Sequence, residues 1–500
     1  MPRQCLRGGL LALALLLAGP ASSVAAPNNN NSAKLTQAVT VAGIYEHLNA
    51  FQAQATANGG NRFAGLPGHD ASAQYVYDRA RAAGYDVRFQ EFTYDAAEDT
   101  SVLTKVAPPP PRSYARFIEF LGATTSSPGD VTAPLYAVDL KIPSTGGSTS
   151  GCEDSDFDDF AEGSIALLQR GTCDFLVKVV NAQEAGAVGA VIFNEGNDPT
   201  RMGLINPTVT GSTIPVVAGT FAMGESLHGG VTTGDTGNTV RVKNGFFFQT
   251  LTTRNVIADS PRGDSGNVVV VGAHLDSVLD GPGINDNGSG SGTILEIAEQ
   301  MTKVKPRNQV RFIWFSAEES GLIGSQFYVD SLPQAERDRI AAMLNFDMVG
   351  SPNFARFVYD GSDPAAPAGS GAIEELFNSY FASRGLAFEP TAFNGRSDYG
   401  PFIAAGVNIP AGGLFTGAEG TKTPAQVAMY GGIAGAPYDP CYHQPCDTIA
   451  NINDTALDQM SDAAAHAVIT LAQSTVTVNG KRGKGNFKPK PAPGETPSAL

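Results

Sequence analysis

Residues 268–277, VVVVGAHLDS, carry four valines and Gly272-Ala273 into His274, Leu275 and Asp276. An unbroken apolar run of this length, closed by polar residues, reads as a strand buried on both faces. FIWFSAEESG (312–321) and MLNFDMVG (343–350) repeat the pattern, ending on Glu318-Glu319 and Asp347. GINDNGSGSG (283–292) places Asp286 just ahead of a glycine-serine helix start, and DPCYHQPCDT (439–448) adds His443. In an open α/β sheet, ligands gather outside the carboxyl ends of the strands. Runs that each end in a polar residue therefore predict one shared rim. His274, Asp286, Glu319, Asp347 and His443 read together as one dinuclear metal site. Two imidazoles and three carboxylates suit zinc.

Working outward, strands are predicted at 252–259, 267–273, 309–316, 342–347 and 355–360. Helices are predicted at about 289–303, 319–331, 370–384 and 456–473. Strands interleaved with helices imply an α/β fold, a mixed but mostly parallel sheet sandwiched by helices. Ahead of it, helices are predicted from Val41 to Gln54 and from Ala71 to Ala83, with a strand from Tyr85 to Phe92. Pro108 to Pro111 form a four-proline run, an extended element or boundary. Beyond it the chain is rich in Gly, Ser, Thr and Val. Residues 164–196 read as strand, helix, strand, without His and acids at metal spacing. This segment, 115–247, is expected to be an inserted, β-rich domain within a catalytic part at 41–114 and 248–476. Residues 27–40 read as a flexible leader, and 477–500 as a disordered basic tail.

Arg3 and Arg7 precede a leucine-rich run that leads to Ala25-Ala26, a secretory signal over 1–26. The mature chain is therefore expected outside the cell or in the periplasm, with no membrane span. Removing Cys5 leaves Cys152, Cys173, Cys441 and Cys446. An even count in an exported chain argues for two disulfides, and pairing within each segment is the economical choice. A zinc site built from all four cysteines is the rival reading, disfavoured because the spacings lack C-x2-C. The net charge is −16; the signal carries two Arg and no acid, so cleavage leaves −18. Such an acidic chain argues against nucleic acid as a partner.

Taken singly, each candidate has a plain structural reading: Asp286 a helix cap, Glu318 and Glu319 acids in a first turn, His274 a satisfied strand-end group. Asp347 is harder to explain away, because a buried acid needs a partner or a metal. Asp276, two residues after His274, is placed to orient an imidazole. Adjacent Glu318 and Glu319 point in different directions, so one can hold metal while the other moves a proton. A Cys441–Cys446 loop would fix His443 and present the Tyr442 hydroxyl to a developing oxyanion.

GAHLDSV, GINDNGSGSG, AEESGLIGS, LNFDMVGSPN, GRSDYGPF, GGLFTGAEGTKT and CYHQPCDT follow in order, ahead of NINDTALDQMSDAAAHA. In these runs the chain resembles the co-catalytic dizinc aminopeptidases of clan MH, the secreted bacterial aminopeptidase S or leucyl aminopeptidase type. The insert resembles a protease-associated (PA) domain. The resemblance implies two Zn2+ per chain: His274, Asp286 and Asp347 at one, His443, Asp286 and Glu319 at the other. It makes Glu318 the general base and Tyr442 the oxyanion donor, in a two-metal mechanism with a bridging hydroxide. Met348, Arg396 and Phe415 would line a pocket favouring Leu, Met or Phe at the N-terminus of a peptide or protein, in a monomer. Some relatives hold Ca2+ with acids matching Asp458 and Asp462; here their partner positions fall near Ala38 and Val39 and lack a carboxylate. A clan MH carboxypeptidase, a glutaminyl cyclase and a non-catalytic PA-domain binding protein are the alternatives.

Overall fold

A computed structural model describes residues 29–481. The expected signal at 1–26 and residues 482–500 of the expected basic tail lie outside them. Two eight-stranded sheets organise the chain. The first runs, edge to edge, through Asp86–Asp99, Phe246–Asp259, Asn308–Phe315, Asp264–His274, Ile340–Phe346, Ala411–Phe415, Phe357–Tyr359 and Glu389–Thr391. Its four central strands, Asn308–Phe315 to Ala411–Phe415, are parallel. Antiparallel pairs flank them on either side, which makes the sheet mixed.

The valine run occupies the middle of this sheet. Val269, Val271 and Ala273 pack on one side, against helices Val41–Ala57, Gly290–Gln300, Ser370–Ser383 and Asp454–Gln473. Val268 and Val270 pack on the other, with Tyr328 and Val329 of helix Ile323–Ser331 and Phe402. The two-residue side-chain period of a strand feeds both cores at once, and burying each such side chain is worth about 1.5–3 kcal/mol. The helices start where their caps dictate. Thr40 accepts from Gly43 N, and Asn453 accepts from Ala456 N.

The second sheet takes the order Arg112–Ser113, Val102–Ala107, Gly234–Asn244, Gly129–Ala137, Ile165–Gln169, Gly189–Phe193, Val216–Gly219 and Phe120–Gly122. It begins at Val102, ahead of the proline run, because Val102–Ala107 pairs with Gly234–Asn244. That pairing is remote in sequence, and local composition carries no trace of it. Strands Asp86–Asp99 and Phe246–Asp259 are both longer than expected and pair without interruption from Asp86↔Asp259 to Asp99↔Phe246. Disulfides join Cys152 to Cys173 and Cys441 to Cys446, the local pairing.

Residues 32–38, expected to be a flexible leader, form a helix instead. Asn31 caps it, Leu35 is fully buried, and Ser32 Oγ lies 2.7 Å from His466 Nδ1. An asparagine run suggests disorder, but its last member supplies the cap. Residues 476–479 are helical as well. Among the described residues no helix is long and apolar enough to cross a membrane.

Candidate active site

His274 is the last residue of its strand, and Asp347 follows directly on Phe346, the end of the neighbouring strand. Glu318 and Glu319 lie just past Phe315 on the third. The helix expected from residue 319 starts only at Ile323. Between them the backbone turns, with Gly321 N and Leu322 N both donating to Glu318 O at 2.8 Å. Glu318 and Glu319 therefore stand in a turn at the sheet rim.

These side chains converge. His274 Nε2 lies 3.2 Å from Asp347 Oδ1 and 3.3 Å from Asp286 Oδ1. His443 Nε2 lies 3.0 Å from Glu319 Oε2 and 3.3 Å from Asp286 Oδ2. Asp286 thus offers one oxygen to each histidine. Ligand atoms of His274, Asp286 and Glu319 fall within 4.8 Å of one another, as do those of His274, Glu318 and Asp347. Glu319 Oε1 is buried with no hydrogen-bond partner, an orphan oxygen of the kind a cation satisfies. The donor set, imidazole nitrogen with carboxylate oxygen, fits zinc. Asp458 and Asp462 belong to no such group among the described residues.

The protonation pattern describes the same excess of negative charge. Burial alone disfavours charge on His274 and His443, yet the surrounding carboxylates outweigh it and raise both imidazoles well above their ordinary value. Burial would raise Asp286 too, but hydrogen bonds from His274 and His443 hold it below the usual range. Burial, with Asp286 beside it, pushes Glu319 up to about 7 despite His443. Glu318 is raised well above the ordinary glutamate value by burial; His274 opposes this, and Asp347 and Asp398 add to it. Divalent cations would neutralise this excess of negative charge.

Supporting contacts come from several elements. Asp276 accepts from the backbone N–H of both Glu318 and Glu319 at 3.3 Å. Its carboxylate is 3.8 Å from His274 Nδ1, while its backbone oxygen is nearer at 3.3 Å. Asp447 accepts from Asn285 N and Asp286 N at 2.8 and 3.0 Å. Asn287 Oδ1 accepts from Met348 N at 3.0 Å, tying the Asp286 loop to the Asp347 strand end. Tyr442 stacks on His443 with ring centroids 3.8 Å apart. Burial, then the charges of Asp286 and Glu319, push the Tyr442 phenol well above its ordinary value, so it stays a donor.

A cavity of about 150 Å³ opens beside Glu318, and Met348, Arg396 and Phe415 all line it, with Tyr359, Tyr399 and Glu419. Arg396 is largely exposed and faces Glu419 at 3.6 Å. Three supporting residues escaped the sequence reading. Ser397 donates to Asp347 Oδ2 at 2.6 Å. Asp398 is fully buried with neither carboxylate oxygen hydrogen-bonded. Arg62, also fully buried, donates to the backbone oxygens of Leu275, Pro282 and Gly283, in the loop between His274 and Asp286. Arg62 lies over two hundred positions from its partners, so spacing could not find it; the S-D pair inside the quoted GRSDYGPF run could have flagged Ser397 and Asp398.

Known protein families match both parts of the chain. The pattern of Peptidase family M28 matches residues 255–468, and that of the PA domain matches residues 131–227. The "Aminopeptidase" of Pseudomonas aeruginosa is 45% identical over 462 residues, 89% of this chain and 83% of the relative. "Leucine aminopeptidase 2" of Trichophyton equinum is 40% identical over 420 residues, 83% of this chain and 80% of the relative. A solved structure, described as a zinc aminopeptidase from Bacillus subtilis, is 28% identical with a TM-score of 0.52. That match covers 87% of this chain and 95% of the other. The chain belongs to peptidase family M28, as a clan MH peptidase of the aminopeptidase group with an inserted PA domain.

Proposed function

We propose that the protein is a secreted zinc-dependent aminopeptidase that removes large apolar residues from peptide N-termini. The observation that carries this reading is the position of Asp286 between His274 and His443, one carboxylate oxygen to each, with Glu318 beside them. His274, Asp286 and Asp347 would hold one zinc ion, and His443, Asp286 and Glu319 the other. Such ions lower the pKa of a bound water and polarise a carbonyl oxygen.

The protein's own groups do the rest. Glu318, on the wall of the cavity with Asp286 and Glu319, accepts the proton of the attacking water and returns it to the departing amine. Tyr442, kept protonated, donates to the oxygen on which charge develops. Asp276 holds the backbone of Glu318 and Glu319 in place through its two oxygens. The free α-amine of the substrate meets the carboxylates of the centre. Its first side chain enters the cavity lined by Met348, Tyr359 and Phe415, which suits Leu, Met or Phe. Relatives named leucine aminopeptidase support that preference, and two disulfides suit an exported chain.

Hydrolysis of Leu-p-nitroanilide, with and without a zinc chelator and alongside metal analysis, tests the reading. Chelator-sensitive release of p-nitroaniline and about two zinc ions per chain are expected. Activity that survives complete metal removal would overturn it.

A further inference from the structure

An aminopeptidase must place one residue inward and send the remainder of the peptide somewhere else. The cavity beside Glu318 has room for a single side chain. A second, larger cavity of about 590 Å³ lies beside it. Tyr442 and Glu419 line both, so the two adjoin at the residue proposed to face the scissile carbonyl. One wall of the larger groove belongs to the catalytic part and carries Pro437, Pro440 and Pro445. The opposite wall comes from the segment that opens the inserted domain and carries Tyr114 and Ile118.

That opposite wall is held firmly. Residues 115–120 form a closed turn, with Glu119 N donating to Ala115 O at 2.8 Å and Phe117 N to Phe120 O at 2.7 Å. Glu119 accepts from Arg112 at 2.6 Å and from Ala115 N at 2.8 Å, which neutralises and occupies the one acid of the turn. Arg116 forms an ion pair with Asp280 and donates to Ser101 O at 3.1 Å. Asp280 lies in the loop after His274. The next residue, Gly281, sits so close to Gln444 that a Cβ would meet its carbonyl oxygen at 2.3 Å. The turn and the His443 loop are therefore braced through the same segment. Ile118, at the tip, is 55% exposed, an apolar side chain held in water at the edge of a groove.

We propose that this groove binds the leaving side of the peptide substrate, selects apolar residues after the first, and uses Ile118 as a specificity determinant supplied by the insert. The inference rests on the aminopeptidase reading above. A groove of this volume is in the range that encloses extended ligands, here about two or three residues. Three prolines offer apolar rings and no N–H to a passing chain, so contact there rewards side-chain burial more than backbone pairing. The insert would then act on peptides and not on single-residue substrates.

The test compares three substrates in the full-length enzyme: Leu-p-nitroanilide, Leu-Ala-Phe-Phe-amide and Leu-Ala-Ser-Ser-amide. Release of the first leucine is measured for the wild type, Ile118→Asp and Ile118→Val. The wild type is expected to favour the phenylalanine peptide over the serine peptide by about tenfold in kcat/KM. Ile118→Asp should erase that preference, mainly through KM, with Leu-p-nitroanilide turnover unchanged; Ile118→Val should keep it. A preference that survives in Ile118→Asp, or a wild type with none, overturns the groove assignment alone. An equal fall on Leu-p-nitroanilide in Ile118→Asp also overturns it, since the residue would then act on the centre. A zinc-loaded wild type inactive on all three overturns the aminopeptidase reading itself.

Discussion

Ser397 donates its hydroxyl to Asp347, Oγ to Oδ2 at 2.6 Å, and leaves Oδ1 turned toward His274 at 3.2 Å. Asn345 in turn donates to Ser397 Oγ at 2.8 Å. One carboxylate oxygen is thus held by Ser397 and the other faces His274. Ser397→Ala should release Asp347 from this orientation and weaken metal retention by about 10–100-fold. Zinc competition against a chromophoric chelator measures this; unchanged retention would mean that the strand end alone orients Asp347.

Glu318 lines the cavity and belongs to neither triad that shares Asp286. Glu318→Ala is expected to lower kcat by about 10²–10⁴-fold while zinc content stays at the wild-type level. Loss of zinc in this variant would instead make Glu318 a ligand, and full activity would remove it from the proton-transfer role.

Cys441 and Cys446 close a short loop around Tyr442 and His443. Asp439 and Asp447 also hold the neighbourhood, Asp439 by accepting from Cys441 N at 2.8 Å and from Asn285 at 2.7 Å. The double variant Cys441→Ser, Cys446→Ser should loosen His443 and weaken metal retention by about tenfold or more. If both zinc retention and activity are untouched, the aspartates suffice.

Far from the centre, Arg311 donates to both oxygens of Asp259, at 2.6 and 2.9 Å, and Arg88 adds a bond at 2.8 Å. Burial alone would raise the Asp259 carboxyl, but Arg311 and then Arg88 outweigh it and hold it below the usual value. A depressed folded-state pKa contributes stability above the unfolded value of about 3.9, lost as pH falls through the folded value. Asp259→Asn should cost about 3–5 kcal/mol at neutral pH, because Arg311 is left buried and unpaired. Urea unfolding across about pH 3 to 7 should show the gap between variant and wild type narrowing on the acid side. A gap independent of pH would mean that packing, not charge, is lost.

Much of this centre was legible because strands end where their apolar runs end. The valine run had to be buried on both faces, so its first polar residue, His274, had to lie at the rim, and the same logic placed Asp347. What the sequence could not carry was backbone shape. Ala317, Met348 and His443 all adopt positive φ, 57°, 52° and 56°, each a non-glycine residue in or beside the site. Such conformations cost energy and persist where surrounding contacts over-determine them. Arg62 was invisible for another reason: its partners are backbone oxygens of Leu275, Pro282 and Gly283, which leave no side-chain signature. The helix at 32–38 and the pairing of Val102–Ala107 depend on partners remote in sequence, and local pattern does not reach that far.

The ladder that ends at Asp99↔Phe246 has a consequence for how the chain could have been assembled. The chain departs from the first sheet and rejoins it at directly opposed residues, so everything from Thr100 to Gly245 occupies the place of a hairpin turn. To the first sheet, that stretch is interchangeable with any short connector able to reverse the chain. Gaining or losing the second sheet would therefore disturb no strand order and no register of the first. A shortened chain would be cut at 100 and 245, since cuts at 115 and 247 would strand Val102–Ala107 without the partner it pairs with.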